Sequence, residues 1–386
     1  MSSHPSGEDV ATAFHDLTGG DPSGVWFAPG RVNLIGEHTD YNDGFCLPFA
    51  LPHRVTIAGT TRSDRRWRVR SLNMAETVEF GIADLRPMAD DGWSAYVAGV
   101  VWALREAGHD VPGADLVLAS DVPVGSGLSS SAALECAALT ALADLGELEI
   151  APMDRAVLAR RAENAYVGAP TGLLDQAAST LCRADGALFF DCRDLSTAQV
   201  PFAPGDFGLE MMVVDTRTPH SHVDGEYAER RASCEEAAAV LGVSALRDVE
   251  LSDLAAALDR LPNDRLRRRV RHVVTEDDRV LGARRALEQG RLPDLGPLLD
   301  ASHASMRDDF EITVPTVDLA VATARAHGAI GARMTGGGFG GCIIALAPVG
   351  SADRIGTAVA AAFADQGFAA PVWFLAAPSA GAGRLL

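Results

Sequence analysis

The chain has 386 residues, more than one hydrophobic core usually organises, so two domains are expected; 47% apolar and 22% charged residues mark a packed globular protein rather than a disordered or fibrous one. A formal charge of −19 repels polyanions, which argues against nucleic acid and anionic membranes as partners and requires any phosphate site to be built locally. All 33 basic residues are Arg and none is Lys, which removes Walker-A, protein-kinase-strand and Schiff-base lysines together.

The first residues read as a polar tail followed by a helix over Asp9–Leu17. Arg31 is the first Lys or Arg, so the basic start of a signal peptide is missing, and no apolar run approaches the ~18 residues that span a bilayer. A cytoplasmic protein is expected. Val25–Ala28 reads as a strand entering a loop. Leu51–Thr60, Trp67–Leu72 and Thr77–Phe80 show the β-branched alternation of an antiparallel group. Trp93–Ala107 has helical spacing and stops at Gly108, as a C-terminal cap should.

Leu116–Ala119 reads as a strand, followed by a Gly/Ser loop and an Ala-rich helix over Ser130–Leu145. Pro152 opens a helix running to Val167 and broken by Gly168-Ala169-Pro170, and a third helix covers Gly172–Cys182. Phe202-Ala203-Pro204-Gly205 is a hinge candidate ahead of a strand at Leu209–Asp215. The remainder alternates long helices with strands at Ile343–Ala347 and Val372–Leu375. The fold class expected is α+β with two mixed domains, residues 1–204 and 205–386, and the site in the cleft between them. The run Arg265–Arg271 meets Glu276, Asp277 and Asp278 on the same helical stretch, so an ion-paired helix face is preferred to a nucleic-acid patch. The six Cys lie far apart with no C-x-x-C and read as buried thiols, not as a disulfide or zinc framework.

Three runs carry the chemistry. In Asp121–Glu135 a strand enters a Gly/Ser loop and a helix leaves it, so free N–H groups and the positive helix end converge on one place. The run reads equally as a phosphate cradle, with a seryl hydroxyl for Mg²⁺, and as an N-capped helix after a tight turn. Met334–Gly341 formally satisfies G-x-G-x-x-G but leads into a strand, which excludes the dinucleotide fingerprint. Five glycines in six positions there point to a backbone surface packed on a ligand or on the other Gly loop. In Ala28–Gly44, the residues Glu37, His38 and Asp40 with Arg31 nearby supply the density of polar groups that a polyhydroxylated ligand needs, although Asn42-Asp43-Gly44 alone also marks a plain hairpin turn. Two carboxylates complete the set: Glu163, late in its helix, and Asp175, in the first turn of the next, where an Asp is also stabilising for the helix alone.

Together and in this order, the runs resemble the GHMP small-molecule kinases, and within them the galactokinase branch. Gly30–Asn42 is similar to that family's sugar-site signature, Pro123–Ala132 to its ATP loop and Arg333–Cys342 to its third, glycine-rich motif. Arg161–Ala178, Val214–His220, Tyr227–Cys234 and Arg271–Val280 agree as well. The resemblance implies an N-terminal mixed α/β domain and a C-terminal ferredoxin-like α+β domain. It implies that Asp175 takes the proton of the sugar's anomeric hydroxyl beside Arg31, and that Glu37, His38, Thr39, Asp40, Gly172 and Tyr227 hold the sugar. Gly125, Ser126, Gly127, Leu128, Ser129, Ser130 and Ser131 would cradle ATP, with Ser71 a further nucleotide contact, and Ser131 and Glu163 would bind Mg²⁺. The partners implied are galactose and ATP, in a monomer or weak homo-oligomer. Leu173-Leu174 stands where the family usually has Ile or Phe followed by Met. Kinases of N-acetylgalactosamine or arabinose share these motifs, and the volume beyond Tyr227 would decide among them. A non-catalytic galactose and ATP sensor is disfavoured by Ser131-Ala132, and a mevalonate- or homoserine-type kinase by the Glu37–Asp40 cluster.

Overall fold

A computed structural model describes residues 6–89, 92–218 and 223–386. The first half contributes helices α1 (Gly7–Thr18), α2 (Trp93–Glu106), α3 (Ser130–Leu145), α4 (Pro152–Arg161) and α5 (Leu174–Leu181). Its strands are β1 (Gly24–Asn33), β2 (Phe45–Cys46), β3 (Pro48–Arg62), β4 (Arg66–Ser71), β5 (Glu76–Gly81), β6 (Gly113–Ser120), β7 (Gly186–Asp191) and β8 (Thr197–Pro201). The second half holds α6 (Val223–Leu241), α7 (Leu254–Arg260), α8 (Asp264–Glu288), α9 (Leu295–Ser305), α10 (Pro315–Ala326) and α11 (Ala352–Gln366). Its strands are β9 (Leu209–Asp215), β10 (Gly331–Thr335), β11 (Cys342–Pro348), β12 (Val372–Leu375) and β13 (Gly383–Arg384).

The large first sheet runs β13-β1-β3-β6-β4-β5. The three strands expected as one antiparallel group are split. β4 and β5 do pair antiparallel, but β6 enters between β3 and β4 and lies parallel to β4. The connection from β5 to β6 contains all of α2, long enough for such a crossover, and α2 buries its apolar side in the main core with α3. On the opposite face, α1 buries Val10 and Phe14 against Val25, Ala58, Val117 and Ala119. Alternate residues of the sheet thus serve two apolar layers.

The second sheet runs β10-β11-β9-β12. Met212 and Val214 of β9 face one apolar cluster with α6, α8, α10 and α11, while Met211 and Val213 face the main core. Burial on both faces accounts for the unbroken apolar run in this strand. The turn Pro204–Phe207 joins β8 to β9 where the hinge was expected, and the chain end returns to the first sheet, with Trp26 opposite Arg384 and Phe27 opposite Gly383. No helix among the described residues is long and apolar enough to cross a membrane.

Two helix boundaries differ from the expectation. The helix from Pro152 is α only to Arg161; residues Ala162–Val167 form a π-helical turn, closed where the N–H groups of Gly168 and Ala169 both donate to the Glu163 carbonyl (2.9 and 3.1 Å). The next helix begins at Leu174 rather than Gly172. The Arg265–Arg271 run lies on α8 with its guanidinium groups engaged: Arg265 with Glu236, Arg268 with Asp264 and Glu311, buried Arg269 with Glu311, Arg271 with Asp309, and Arg267 on the carbonyls of Leu258 and Leu261. His220 of the Val214–His220 stretch lies outside the described residues.

Candidate active site

β1 delivers the first charged group. Its pairing with β3 shifts register between Pro29 and Arg31, and at that irregularity the Arg31 N–H donates to the Leu128 carbonyl (3.1 Å). Only glycine fits at position 30, because a Cβ there would stand 2.7 Å from the Leu128 carbonyl oxygen. The strand is therefore stitched to the Gly/Ser loop just where Arg31 leaves for the cleft. Arg31 donates through Nε to Asp175 Oδ1 (2.8 Å) and through Nη1 to the Gly127 carbonyl (2.6 Å), and its Nη2 is ion-paired with the same Asp175 oxygen at 2.7 Å.

The helix-capping alternative for the Gly/Ser loop does not hold. Ser129 precedes α3 in a left-handed conformation, φ 60°, and its side chain makes no cap; its hydroxyl donates to Asp175 Oδ2 (2.5 Å). The first N–H groups of a sixteen-residue helix are consequently left for a ligand. Asp175 itself caps nothing: both of its oxygens are spent on Arg31 and Ser129. Gly125 and Gly127 take positive φ, 71° and 78°, and keep the loop surface bare, whereas Ser126 donates inward to the Pro123 carbonyl (2.9 Å) and Leu128 is buried in the core. These two residues offer the site backbone only. The second glycine run faces the first: a Cβ on Gly336 would come within 3.0 Å of the Gly127 carbonyl oxygen.

A cavity of about 210 Å³ opens beside this junction, lined by Arg31, Asn33, Gly36, Glu37, His38 and Asp40, by 169–171 with Leu174 and Asp175, and by Tyr227, Gly336 and Gly337. It is smaller than the ~300–1,000 Å³ clefts of drug-sized ligands, which suits one small ring. Glu37 Oε1 accepts from the Gly336 N–H (2.7 Å) and Oε2 from the Asn33 amide, while burial pushes its carboxyl up. His38 is neutral, since burial lowers its imidazole to about 3; Tyr41 is hydrogen-bonded to Nδ1 (2.7 Å), and Nε2 faces the Gly337 carbonyl (3.1 Å), which can only accept, so Nε2 carries the proton. Burial, and then the neighbouring Asp175, raise Asp40 to about 6. Tyr227 packs its ring 5.1 Å from that of His38 and 5.5 Å from that of Tyr41.

Three sequence-selected positions, Thr39, Gly172 and Ser71, are not among the residues lining this cavity. Thr39 is fully buried and its hydroxyl is used on the Gly36 and Phe45 carbonyls (2.9 and 2.7 Å), so it shapes the loop rather than lining the cavity. Gly172 makes room: a Cβ there would overlap the Asp40 carboxylate. Ser71 is buried at the end of β4, where its oxygen accepts from the Met74 N–H (3.2 Å), and it is not among the residues lining this cavity. Of the Leu173-Leu174 pair, Leu174 lines the cavity and Leu173 is core.

Glu163 projects from the π turn into the protein and is held by Thr171 Oγ1 (2.5 Å) and Gln176 Nε2 (2.7 Å), with the Ser131 side chain near enough to favour its charged form. Burial pushes the Glu163 carboxyl up. One carboxylate and one hydroxyl are hard oxygen donors, the set by which Mg²⁺ is held when nucleotide phosphates and water complete its shell. No group of three or more His, Cys, Asp or Glu that could hold a metal occurs among the described residues.

The sequence reading missed several lining residues: Asn33, 169–171, Gly336 and Gly337. Asn33 and Gly336 lay inside runs already singled out, but nothing in their identity distinguished cavity from core. A second cavity, of about 330 Å³, is lined by Pro123, Val124 and Gly125 of the Gly/Ser loop and by Asp215, Arg217 and Thr218 at and after the end of β9.

Residues 12–61 match the galactokinase galactose-binding signature, 95–183 the GHMP kinase N-terminal domain and 283–365 the GHMP kinase C-terminal domain. The galactokinase of Streptomyces coelicolor is 55% identical over 379 residues, covering 98% of both chains, and that of Haemophilus influenzae is 47% identical over 335 residues, covering 85% of this chain and 86% of the other. Among solved structures, Lactococcus lactis galactokinase complexed with galactose superposes with a TM-score of 0.93 at 32% identity, covering 98% of this chain and 99% of that one. Methanococcus jannaschii mevalonate kinase, at 15% identity and a TM-score of 0.66 over 92% of this chain and 98% of its own, shares the fold. With a cleft of this geometry and relatives of this closeness along nearly its whole length, the chain belongs to the galactokinase family of GHMP kinases.

Proposed function

We infer that this protein transfers the γ-phosphate of ATP to the C1 hydroxyl of α-D-galactose, giving galactose 1-phosphate and ADP. One observation carries the reading: Asp175, fixed by Arg31 and Ser129, stands where a cavity sized for one sugar ring meets a bare glycine loop and an uncapped helix N-terminus. A sugar hydroxyl and a terminal phosphate brought to these two surfaces meet at the Asp175 carboxylate.

Each residue then has a chemical task. Asp175 accepts the hydroxyl proton as the oxygen attacks phosphorus, and the Arg31 guanidinium, fixed at three points, offsets the charge that develops on the transferring group. Glu37, neutral His38, Asp40 and Tyr227 pair the remaining sugar hydroxyls, with Gly172 leaving space for the Asp40 carboxylate and Thr39 setting the loop's turn. Gly125 to Ser131 receive the phosphates on backbone N–H groups, and α3 contributes its positive end. Ser131 and Glu163 would hold Mg²⁺, which when bound neutralises phosphate charge. With positioning and charge stabilisation supplied in this way, a lysine is not required.

A galactose-pairing site leaves buried groups unmatched when the C4 epimer binds. Galactose should therefore be turned over far faster than glucose in a coupled ADP-release assay, by at least about 10²-fold given that an unmet hydroxyl partner can cost 10⁴-fold or more. Equal turnover of the two sugars would defeat the reading.

Ser131→Ala separates the two halves of the site. It should raise the KM for Mg-ATP and lower turnover by roughly tenfold or more, while galactose binding measured by calorimetry stays near the parent value. Loss of sugar binding with an unchanged ATP KM would mean that the loop has been assigned to the wrong substrate.

A further inference from the structure

The loop that carries Glu37, His38 and Asp40 belongs to the first domain, yet its backbone is gripped from the second. The Gly36 N–H donates to Glu276 Oε1 (3.0 Å), the Glu37 carbonyl faces His272 Nε2 (3.1 Å), and the Phe45 N–H donates to Asp277 Oδ1 (2.8 Å). The three side chains come from one stretch of α8, spaced i, i+4 and i+5, and all are buried.

The surroundings of His272 and Glu276 fix these two side chains. His272 is neutral, burial lowering its imidazole to about 4; Ser305 Oγ is hydrogen-bonded to Nδ1 (2.9 Å), and the proton on Nε2 points to the Glu37 carbonyl, which can only accept. Glu276 is fully buried, which disfavours its charge, but the guanidinium groups of Arg279 and Arg333 hold its carboxyl down at about 2. Arg279 Nε donates to its Oε2 (2.7 Å) and Ser302 Oγ to its Oε1 (2.7 Å). Arg333 of β10, also fully buried, donates to the carbonyls of Asn33 and Leu34 (3.2 and 3.0 Å) and lies 3.6 Å from Glu276 and 3.7 Å from Glu37 Oε1.

Apolar packing would join two domains at lower desolvation cost than buried charges do. What the charges add is direction, and here they are directed at the backbone on either side of the cavity-lining carboxylate and imidazole. We propose that Glu276, His272 and Asp277, braced by Arg333, are positioning residues that set the sugar affinity of the first domain's loop from the second domain. The proposal rests on the galactose reading above, and touches no atom of the substrate.

The test uses the full chain and galactose. Glu276→Gln keeps an acceptor for Gly36 but puts an amide against Arg279 and removes the charge between two guanidinium groups. The KM for galactose and its calorimetric Kd should both rise about tenfold or more, since small misplacements of a positioning element cost of that order, while the KM for ATP should stay within about twofold. His272→Ala should shift the sugar constants in the same direction, and His272→Gln, whose amide N–H can replace Nε2–H, should recover part of the loss. Glu288→Ala, exposed at the far end of α8, is the control. Unchanged sugar constants in folded Glu276→Gln and His272→Ala overturn the proposal. So does a parallel rise of the sugar and ATP KM tracking a fall in Tm, because that is what loosening of the domains alone would give. If Glu276→Gln does not fold, the two His272 variants decide. Parent protein that fails to turn over galactose would sink the functional reading instead, so the two failures are distinguishable.

Discussion

Asp175→Asn is expected to fold, to bind galactose with little change, and to lose turnover by roughly 10² to 10⁴, the span of a positioned general base. The structure explains why the fold survives. The Asn carbonyl can accept from Arg31, and its amide can donate to the Ser129 oxygen, so both existing bonds have a replacement. What Asn cannot do is take a proton or carry the charge opposite Arg31. The bland role for an acid in the first turn of a helix predicts the reverse, a Tm lowered by a loss of up to about 1 kcal/mol with kcat nearly intact. Thermal melting and kcat measured on one preparation separate the two, and a folded variant keeping more than about a tenth of parental turnover would remove Asp175 from the proton transfer.

The other large effect is expected at Arg31. Arg31→Met removes the charge facing the transferring phosphate together with its ion pair to Asp175 and two hydrogen bonds, one to Asp175 and one to the Gly127 carbonyl. Turnover should fall by roughly 10³ or more, as for arginines that stabilise phosphoryl transfer elsewhere. Unlike Asp175→Asn, this variant should also raise the KM for ATP, because the glycine loop loses the guanidinium that holds the Gly127 carbonyl. Arg31→Lys restores charge but not the fork that reaches Asp175 and Gly127 together, so it should recover only a minor part of the rate. If Lys supports half or more of parental turnover, charge alone matters and the fork geometry does not.

Much of this site was legible before any coordinate. A strand running into Gly125–Ser131 and then into an Ala-rich helix narrows that run to a phosphate cradle or a capped helix by local chemistry alone, since glycine placement and helix polarity are properties of the chain segment. The absence of Lys excluded every lysine-based phosphate or Schiff-base site for the same reason, since residue types are read directly from the chain. The density of polar groups at Glu37, His38 and Asp40 pointed to a ligand-pairing loop with a plain hairpin turn still open beside it, and the three runs in order announced the family.

Other features are decided only when distant segments meet. Whether Ser129 caps its helix or holds Asp175 depends on where α5 lies, and residues 46 positions apart settle it with one hydrogen bond. Thr39 and Ser71 are hydroxyls like Ser131, but burial turns the first on the carbonyls of its own loop and the second on a backbone N–H. The entry of β6 between β3 and β4 could not be read from alternation, because period 2 fixes which face a side chain takes and not which strand lies alongside. The sequence by itself determined the chemistry available to this protein, since residue types and local glycine and helix geometry are encoded segment by segment. Tertiary packing alone decided which of those groups converge, and it does so through contacts such as Glu276 with Gly36, 240 positions apart, that no local pattern carries.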